Sequence, residues 1–448
     1  MMPNSAAPHP VALHVLADMK DDAREDLLLR AEDDLAPFVA KVMPIIEAVK
    51  TEGDAALVRY ALEFDKAEIS EEDLKASTSD IAQAYDTLDP QFVDVLRYAA
   101  DNIRRFHEHQ MPEMDWRMEI VPGATVGERF TPIDSVACYS PRGKGSFPSV
   151  TLMSTIPAVV AGVEKIIVLT PPGPDGRIDP ATLVAADIAG VSDVYMAGGA
   201  QAVAAVAYST QTIPRCSKIE GPGSPFLAAA KVALANRIDP GMPAGPSEAI
   251  VFADDSANPA IAALDTIIES EHGADSSVFL VTSSEAVAHA ARDHFETYWA
   301  QMSDERAGYS RAVLGGMSGG IVLARDEAQA YEFINDYAPE HLQILSTDPH
   351  RHVAHIRNAS EILLGQDTPG SIANYMMGPN CVLPTSGAAK TRSPLGVMNF
   401  LKSCSIGELS REGLQTMGPR TDVFARYEGF DAHANAVGPL REKARGNS

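Results

Sequence analysis

Apolar residues recur at roughly helical spacing through most of the first 110 positions. In the stretch 38–49, FVAKVMPIIEAV, a period near ~3.6 predicts a helix with one buried face. Gly53 and Asp65 stand where such helices would end. Past about Ile120 the apolar runs shorten and are bounded by Pro and Gly. The pattern then alternates: a strand at 135–139, a small-residue helix at 149–162, a strand at 165–170, a helix at 180–190 and a strand at 193–196. Gly198-Gly199-Ala200-Gln201 opens the next helix. Such βαβαβ alternation predicts a parallel, doubly wound sheet.

The alternation resumes after 247, with a strand at 249–253 and a helix that Asn258 caps and Pro259 starts. A strand at 277–282, a helix at 285–300, a strand at 320–324 and a helix at 326–337 follow. The expected fold class is therefore α/β, with two Rossmann-like, incompletely doubly wound domains carrying helical N-terminal and C-terminal appendages. Residues 1–34 read as an N-terminal helical extension, and 35–138 with 249–390 as a discontinuous α/β domain. Residues 139–248 read as a second Rossmann-like domain, and the more irregular stretch 391–448 as a C-terminal appendage. Ligands in such sheets are expected beyond the C-terminal ends of the strands.

At 448 residues and 45% hydrophobic, the chain has material for more than one core. A formal net charge of -25 argues against non-specific binding to nucleic acid or anionic membranes. The four cysteines form no CxxC pair and read as reduced thiols of a cytoplasmic protein. The first residues lack a signal-peptide pattern, and no apolar run approaches a membrane span.

Three clusters carry candidate chemistry. Glu269 and His272 lie at i and i+3, so they share a face at the end of an apolar helical run. They could grip one metal ion; a solvated helix end fits the same pair as well. Glu340-His341 follows Pro339 and offers a general acid and base. A polar cluster around Ser371 and Asn374 and the lone His433 add further metal-ligand types suited to zinc. The glycine-rich stretch 139–146, with Arg142 and Lys144, and the turns at 198–201 and 220–224 could bring backbone N–H groups to a phosphate.

In this order the motifs resemble the histidinol dehydrogenase family. The resemblance spans about 35 to 445 and rests on GGAQAVAA, MPAGPSE, SEHGADS, YAPEHL, GPNCVLPTSG and HANAV. That family oxidises a primary alcohol to a carboxylate through an aldehyde, using NAD and zinc, as an intertwined homodimer. The resemblance implies zinc at Glu269, His272, Asn374 and His433, the last from the partner subunit. It implies acid/base roles for Glu340 and His341, NAD contacts at Tyr139, Gln201 and Ser224, and substrate contacts at Ser247 and Glu428. Glu269 stands where the family has Gln and Asn374 where it has Asp, so the ligand charge is preserved. Gly370 replaces a Glu and Cys381 a His that hold histidinol, and Ser224 replaces an Asn. A site lacking those partners would reject histidinol's cationic groups. The chain is therefore expected to be a paralogue, similar to sulfopropanediol dehydrogenases, with Arg142, Lys390 and Arg392 available to an anionic alcohol. Authentic histidinol dehydrogenase and a non-catalytic binding protein are the alternatives.

Overall fold

Thirteen strands, β1–β13 in chain order, form three sheets in the computed structural model, which describes residues 9–30, 35–142 and 145–446. Contacts along the chain separate two compact units. The larger takes in the chain through Gln110 together with Asp134–Phe400, and the smaller comprises Met111–Ile133 with the chain from Leu401 onward.

The larger unit holds two parallel sheets. Strands β4 (Ser135–Tyr139), β5 (Lys165–Thr170), β6 (Val194–Met196) and β7 (Lys218–Glu220) make a four-stranded sheet in the order β6-β5-β4-β7. Strands β1 (Leu13–Val15), β8 (Glu248–Ala253), β9 (Ser277–Thr282), β10 (Gly319–Leu323), β11 (His341–Leu345) and β12 (Glu361–Leu364) make a six-stranded sheet in the order β1-β10-β9-β8-β11-β12. Both sheets reverse direction of growth once: between β4 and β7 in the first, and between β8 and β11 in the second. Alternate residues of β8 enter different cores, Val251 with Leu280 on one face and Ile250 with Phe279 on the other. Burial on both faces is what an all-parallel sheet demands, and it explains why these strands read as unbroken apolar runs.

The α/β class and the parallel sheets agree with the sequence pattern, and Asn258 caps its helix as expected, its side chain accepting from Ala260 N–H at 2.9 Å. Three details differ. The stretch 9–30, expected to be helical, holds the helix Asp21–Asp26 but also contributes β1, which pairs with β10 at the sheet edge. Helix 285–300 is two helices, Glu285–Arg292 and Phe295–Trp299; the turn lets Phe295 and Trp299 both bury, with the Trp299 indole donating to Ser310 Oγ at 2.7 Å. The tail is more regular than its composition suggested. In the smaller unit, β2 (Asp115–Val121), β3 (Ala124–Pro132) and β13 (Leu401–Leu409) form an antiparallel sheet, followed by the helix Arg411–Tyr427.

Candidate active site

The six-stranded sheet places its chemistry at the wrong end for the expectation from sequence. Glu248, His341 and Glu361 are the first residues of β8, β11 and β12, so the polar cluster lies at the strand N-termini. The helix Glu327–Tyr337 ends at Ala338, which takes a left-handed φ of 53°, and Pro339 then directs Glu340-His341 into β11. Both side chains are buried. Glu340 accepts from the backbone N–H of Glu248 at 3.0 Å, and its Oε1 lies 3.8 Å from His341 Nε2. His341 Nδ1 lies 2.8 Å from Glu361 Oε2. Burial raises the pKa of Glu340, the His341 charge opposing it. Burial also disfavours a charged His341, but the Glu269, Glu340 and Glu361 carboxylates outweigh it and raise its pKa.

Glu269 lies in the last turn of the helix Pro259–Ser270, with His272 just past the helix end. His272 Nδ1 is 3.1 Å from Glu269 Oε2, and Asn374 Nδ2 donates to Glu269 Oε1 at 2.7 Å. Three of the four sequence-predicted metal ligands are therefore together. Burial works against the Glu269 charge, but His272 and His341, with hydrogen bonds from Asn374 and Ser247, hold its pKa below the ordinary value. Asn374 Oδ1 is buried and takes no hydrogen bond from the described residues. A free amide oxygen beside an imidazole and a carboxylate is a donor set that fits zinc. A cavity of about 660 Å³ adjoins the cluster, with His272, Glu271, Arg306, Tyr375, Phe147 and Leu152 on its walls.

At the four-stranded sheet the glycine-bearing turns lie at the strand C-terminal ends. Tyr139 ends β4, and the turns after β6 and β7 carry Gly198-Gly199 and Gly221. Gly199 N–H donates to the Tyr139 hydroxyl at 3.1 Å, and buried Gln201 follows in the same helix. Gly221 has a φ of +119°, and a Cβ there would sit 2.2 Å from Tyr139 O, so only glycine permits this approach. Ser224 caps the next helix, its Oγ accepting from Leu227 N–H at 3.5 Å. These residues flank the point where strand order reverses, the place where such sheets bind nucleotides. Asp65 Oδ2 is buried without a hydrogen-bond partner among the described residues. Burial pushes its pKa up to about 6, with Arg142 opposing. An unpaired carboxylate of this kind suits a ribose hydroxyl, and sequence reading had not placed one. Asp65 is close enough to Tyr139 to help raise its pKa, so these turns and a buried carboxylate form a set of groups suited to a dinucleotide.

One further group brings ligand atoms close enough for a cation: Asp254, Glu327 and His352, within 4.8 Å of one another. Arg351 already supplies the positive charge there, donating to Glu327 at 2.7 Å and Asp254 at 3.2 Å. Tyr331 closes the network with His352 at 2.6 Å.

The model of the family described as "Histidinol dehydrogenase" matches residues 28–440. The chain belongs to the histidinol dehydrogenase family. It is 55% identical over 436 residues to a "Histidinol dehydrogenase homolog" of Colwellia psychrerythraea, covering 97% of this chain and 98% of that one. It is 43% identical to the "Histidinol dehydrogenase" of Synechocystis, covering 94% and 97%. The crystal structure of histidinol dehydrogenase from Elizabethkingia anophelis superposes with a TM-score of 0.92 at 31% identity, covering 98% of this chain and all of that one. The family is one of oxidoreductases acting on alcohols.

Within a histidinol dehydrogenase fold, the replaced positions can be located. A Cβ at Gly370 would meet only Ile268, at 3.8 Å, an ordinary contact. Cys381 adjoins the site: burial raises its thiol pKa well above the usual value, and Glu361, Glu269 and Glu340 add to the effect. Ser247 hydrogen-bonds Glu269. Arg142 donates to Arg177 O at 2.7 Å, Lys390 and Arg392 are exposed, and Lys144 lies outside the described residues. Glu428 and His433 belong to the smaller unit, where both line a groove of about 470 Å³ with Phe424 and Phe430. Sequence reading missed Glu361; a lone glutamate opening the apolar strand EILL was the available signal.

Proposed function

We propose that this protein is a zinc- and NAD-dependent dehydrogenase oxidising a primary alcohol other than histidinol, through the aldehyde to the carboxylate. The observation that carries the reading is the buried meeting of Glu340, His341 and the Glu269–His272–Asn374 cluster. When bound, zinc supplies Lewis acidity toward the alcohol oxygen, and NAD accepts hydride. Glu269, His272 and Asn374 would hold the metal, and Tyr139, Gln201 and Ser224 the dinucleotide. His341 Nε2 takes the hydroxyl proton; Glu340, whose pKa burial raises, exchanges protons with the water of the second oxidation.

Two things support a substrate other than histidinol. The relatives at 51–55% identity carry the name "homolog", whereas those at 39–43% carry the enzyme's own name. Gly370 and Cys381 also remove the carboxylate and imidazole that would meet histidinol's amine and ring. Arg306, on the cavity wall beside His272, donates to Glu271 O at 3.0 Å and brings a positive charge to that wall, which supports an anionic alcohol. We further propose a homodimer in which His433 and Glu428 complete the partner's site; the exposed Phe424, Tyr427 and Phe430 around them support this.

The test is NADH formation by zinc-loaded protein against histidinol, dihydroxypropane sulfonate and neutral diols, with and without chelator. Chelator-sensitive turnover of a non-histidinol alcohol is expected. Histidinol as the best substrate would make this an authentic histidinol dehydrogenase, and no turnover of any alcohol would favour a binding protein. Arg306→Ala is expected to raise KM for an anionic alcohol by about tenfold, the ~1.4 kcal/mol scale of one lost charge-assisted contact. An equal change for neutral diols would remove Arg306 from substrate recognition.

A further inference from the structure

Glu361 has no role assigned by the reading above, yet it makes the shortest polar contact of the candidate base. In the parallel pairing of β11 with β12 its Cα partner is His341, so the two side chains leave the same face of the sheet. The backbones are tied at the same point: Glu361 N–H donates to Glu340 O at 3.2 Å, and Ser360 N–H to Pro339 O at 3.1 Å. Nδ1 and Oε2 are 2.8 Å apart, and both residues are more than nine-tenths buried. A buried ionised carboxylate can only accept, so Nδ1 must carry the hydrogen. In the neutral ring the lone pair is then on Nε2, the nitrogen that faces Glu340.

A second observation separates this contact from ordinary packing. Glu361 Oε1 is buried and takes no hydrogen bond from the described residues. A half-satisfied buried carboxylate is costly, and an apolar residue would serve β12 better if strand stability were all that mattered. Leu363, two residues on and on the same buried face of β12, shows what the position would otherwise hold.

We propose that Glu361 is a positioning residue for the dehydrogenase reaction. It fixes the His341 ring with Nδ1–H toward β12 and Nε2 toward the reacting hydroxyl, and it stabilises the imidazolium formed when His341 takes the proton. The proton moves from the alcohol oxygen to Nε2, while Glu361 Oε2 keeps accepting from Nδ1–H throughout. Orientation of a catalytic imidazole by a third group is a general device, and here the parallel register of two strand starts supplies it.

The catalytic part rests on the proposed function, so the test has an arm that does not. Protein grown with isotope-labelled histidine is expected to show a low-field imidazole N–H resonance that disappears in both His341→Asn and Glu361→Ala and persists in Glu361→Gln, whose amide oxygen still accepts. Persistence of that resonance in Glu361→Ala overturns the proposal whatever the activity. In turnover of the best alcohol, Glu361→Ala is expected to lower kcat about 100-fold, the scale of one acid–base contribution, with KM and zinc content nearly unchanged. Glu361→Gln should fall between the two. In a His341→Asn background, Glu361→Ala should cost less than about threefold, because residues acting as a unit are not additive. An equal loss in both backgrounds would make Glu361 structural. A wild-type protein that oxidises no alcohol would defeat the proposed function, while the resonance would still decide the orientation of His341.

Discussion

A Cβ added at Gly370 meets only Ile268, at an ordinary distance, so a side chain can begin there without displacing its neighbours. The residue therefore reports on chemistry and not on packing. Gly370→Glu combined with Cys381→His rebuilds the two partners that histidinol's amine and imidazole need. This pair is expected to raise kcat/KM for histidinol at least tenfold and to lower it for an anionic alcohol, because paired polar groups discriminate strongly in a buried site. Steady-state kinetics on both substrates checks it. A variant that gains nothing on histidinol, while keeping its zinc and its melting temperature, would show that specificity is set elsewhere. Arg306, on the cavity wall, would then be the next residue to change.

At the scale of elements, the helix Pro259–Ser270 carries Glu269 to the site and is also tied to β11 through Asp265. Gln343 Nε2 donates to Asp265 Oδ2 at 2.7 Å. Burial nevertheless pushes the Asp265 pKa up to about 6, with Gln343 opposing. A carboxyl group whose folded pKa is raised favours the folded state when protonated, and that advantage fades as pH rises from about 4 to about 6. Asp265→Asn keeps an acceptor for Gln343 and removes the charge. It is expected to raise stability by up to about 3 kcal/mol at pH 8 and to change little at pH 4, as about two pKa units imply. Thermal melts across that range would show the divergence; parallel curves would mean Asp265 is solvated in the folded protein. The helix itself was legible in sequence because Asn258-Pro259 announces its start and its apolar face recurs. The strands of the six-stranded sheet from β8 to β10 were legible as apolar runs bounded by turn residues. What could not be read was pairing. Glu361 is twenty positions from His341, and only the β11–β12 register makes them neighbours. Leu13–Val15 is too short to carry a strand signal without β10 beside it.

Across the larger unit, two sheets of the same winding use opposite ends. At the C-terminal switch point of the four-stranded sheet, Gly221 allows the turn after β7 to approach Tyr139 closely. The six-stranded sheet gathers Glu248, His341 and Glu361 at its strand N-termini. Its own switch point, beyond the C-termini of β8 and β11, is filled: Asp254 accepts from Ser346 at 2.6 Å, from Arg351 and from His352 at 3.2 Å each. Burial would raise the Asp254 pKa, but hydrogen bonds from Ser256, Ser346 and Arg351 hold it down to about 2. Its stabilising contribution is therefore present above about pH 4 and lost as pH falls toward 2. This network occupies the strand C-terminal ends of the six-stranded sheet with polar contacts of its own, while the Glu340–His341 cluster lies at the strand N-termini, where a general rule about strand ends does not look. Arg351→Ala removes the cation from between two carboxylates and is expected to lower the melting temperature, since buried Asp254 loses a charged donor. Zinc should then restore part of the lost melting temperature in Arg351→Ala without further stabilising an Asp254→Asn variant, while kcat stays unchanged in both. If wild-type protein instead loses one bound zinc on Asp254→Asn, the cluster is a metal site and Arg351 is displaced from it when the ion binds.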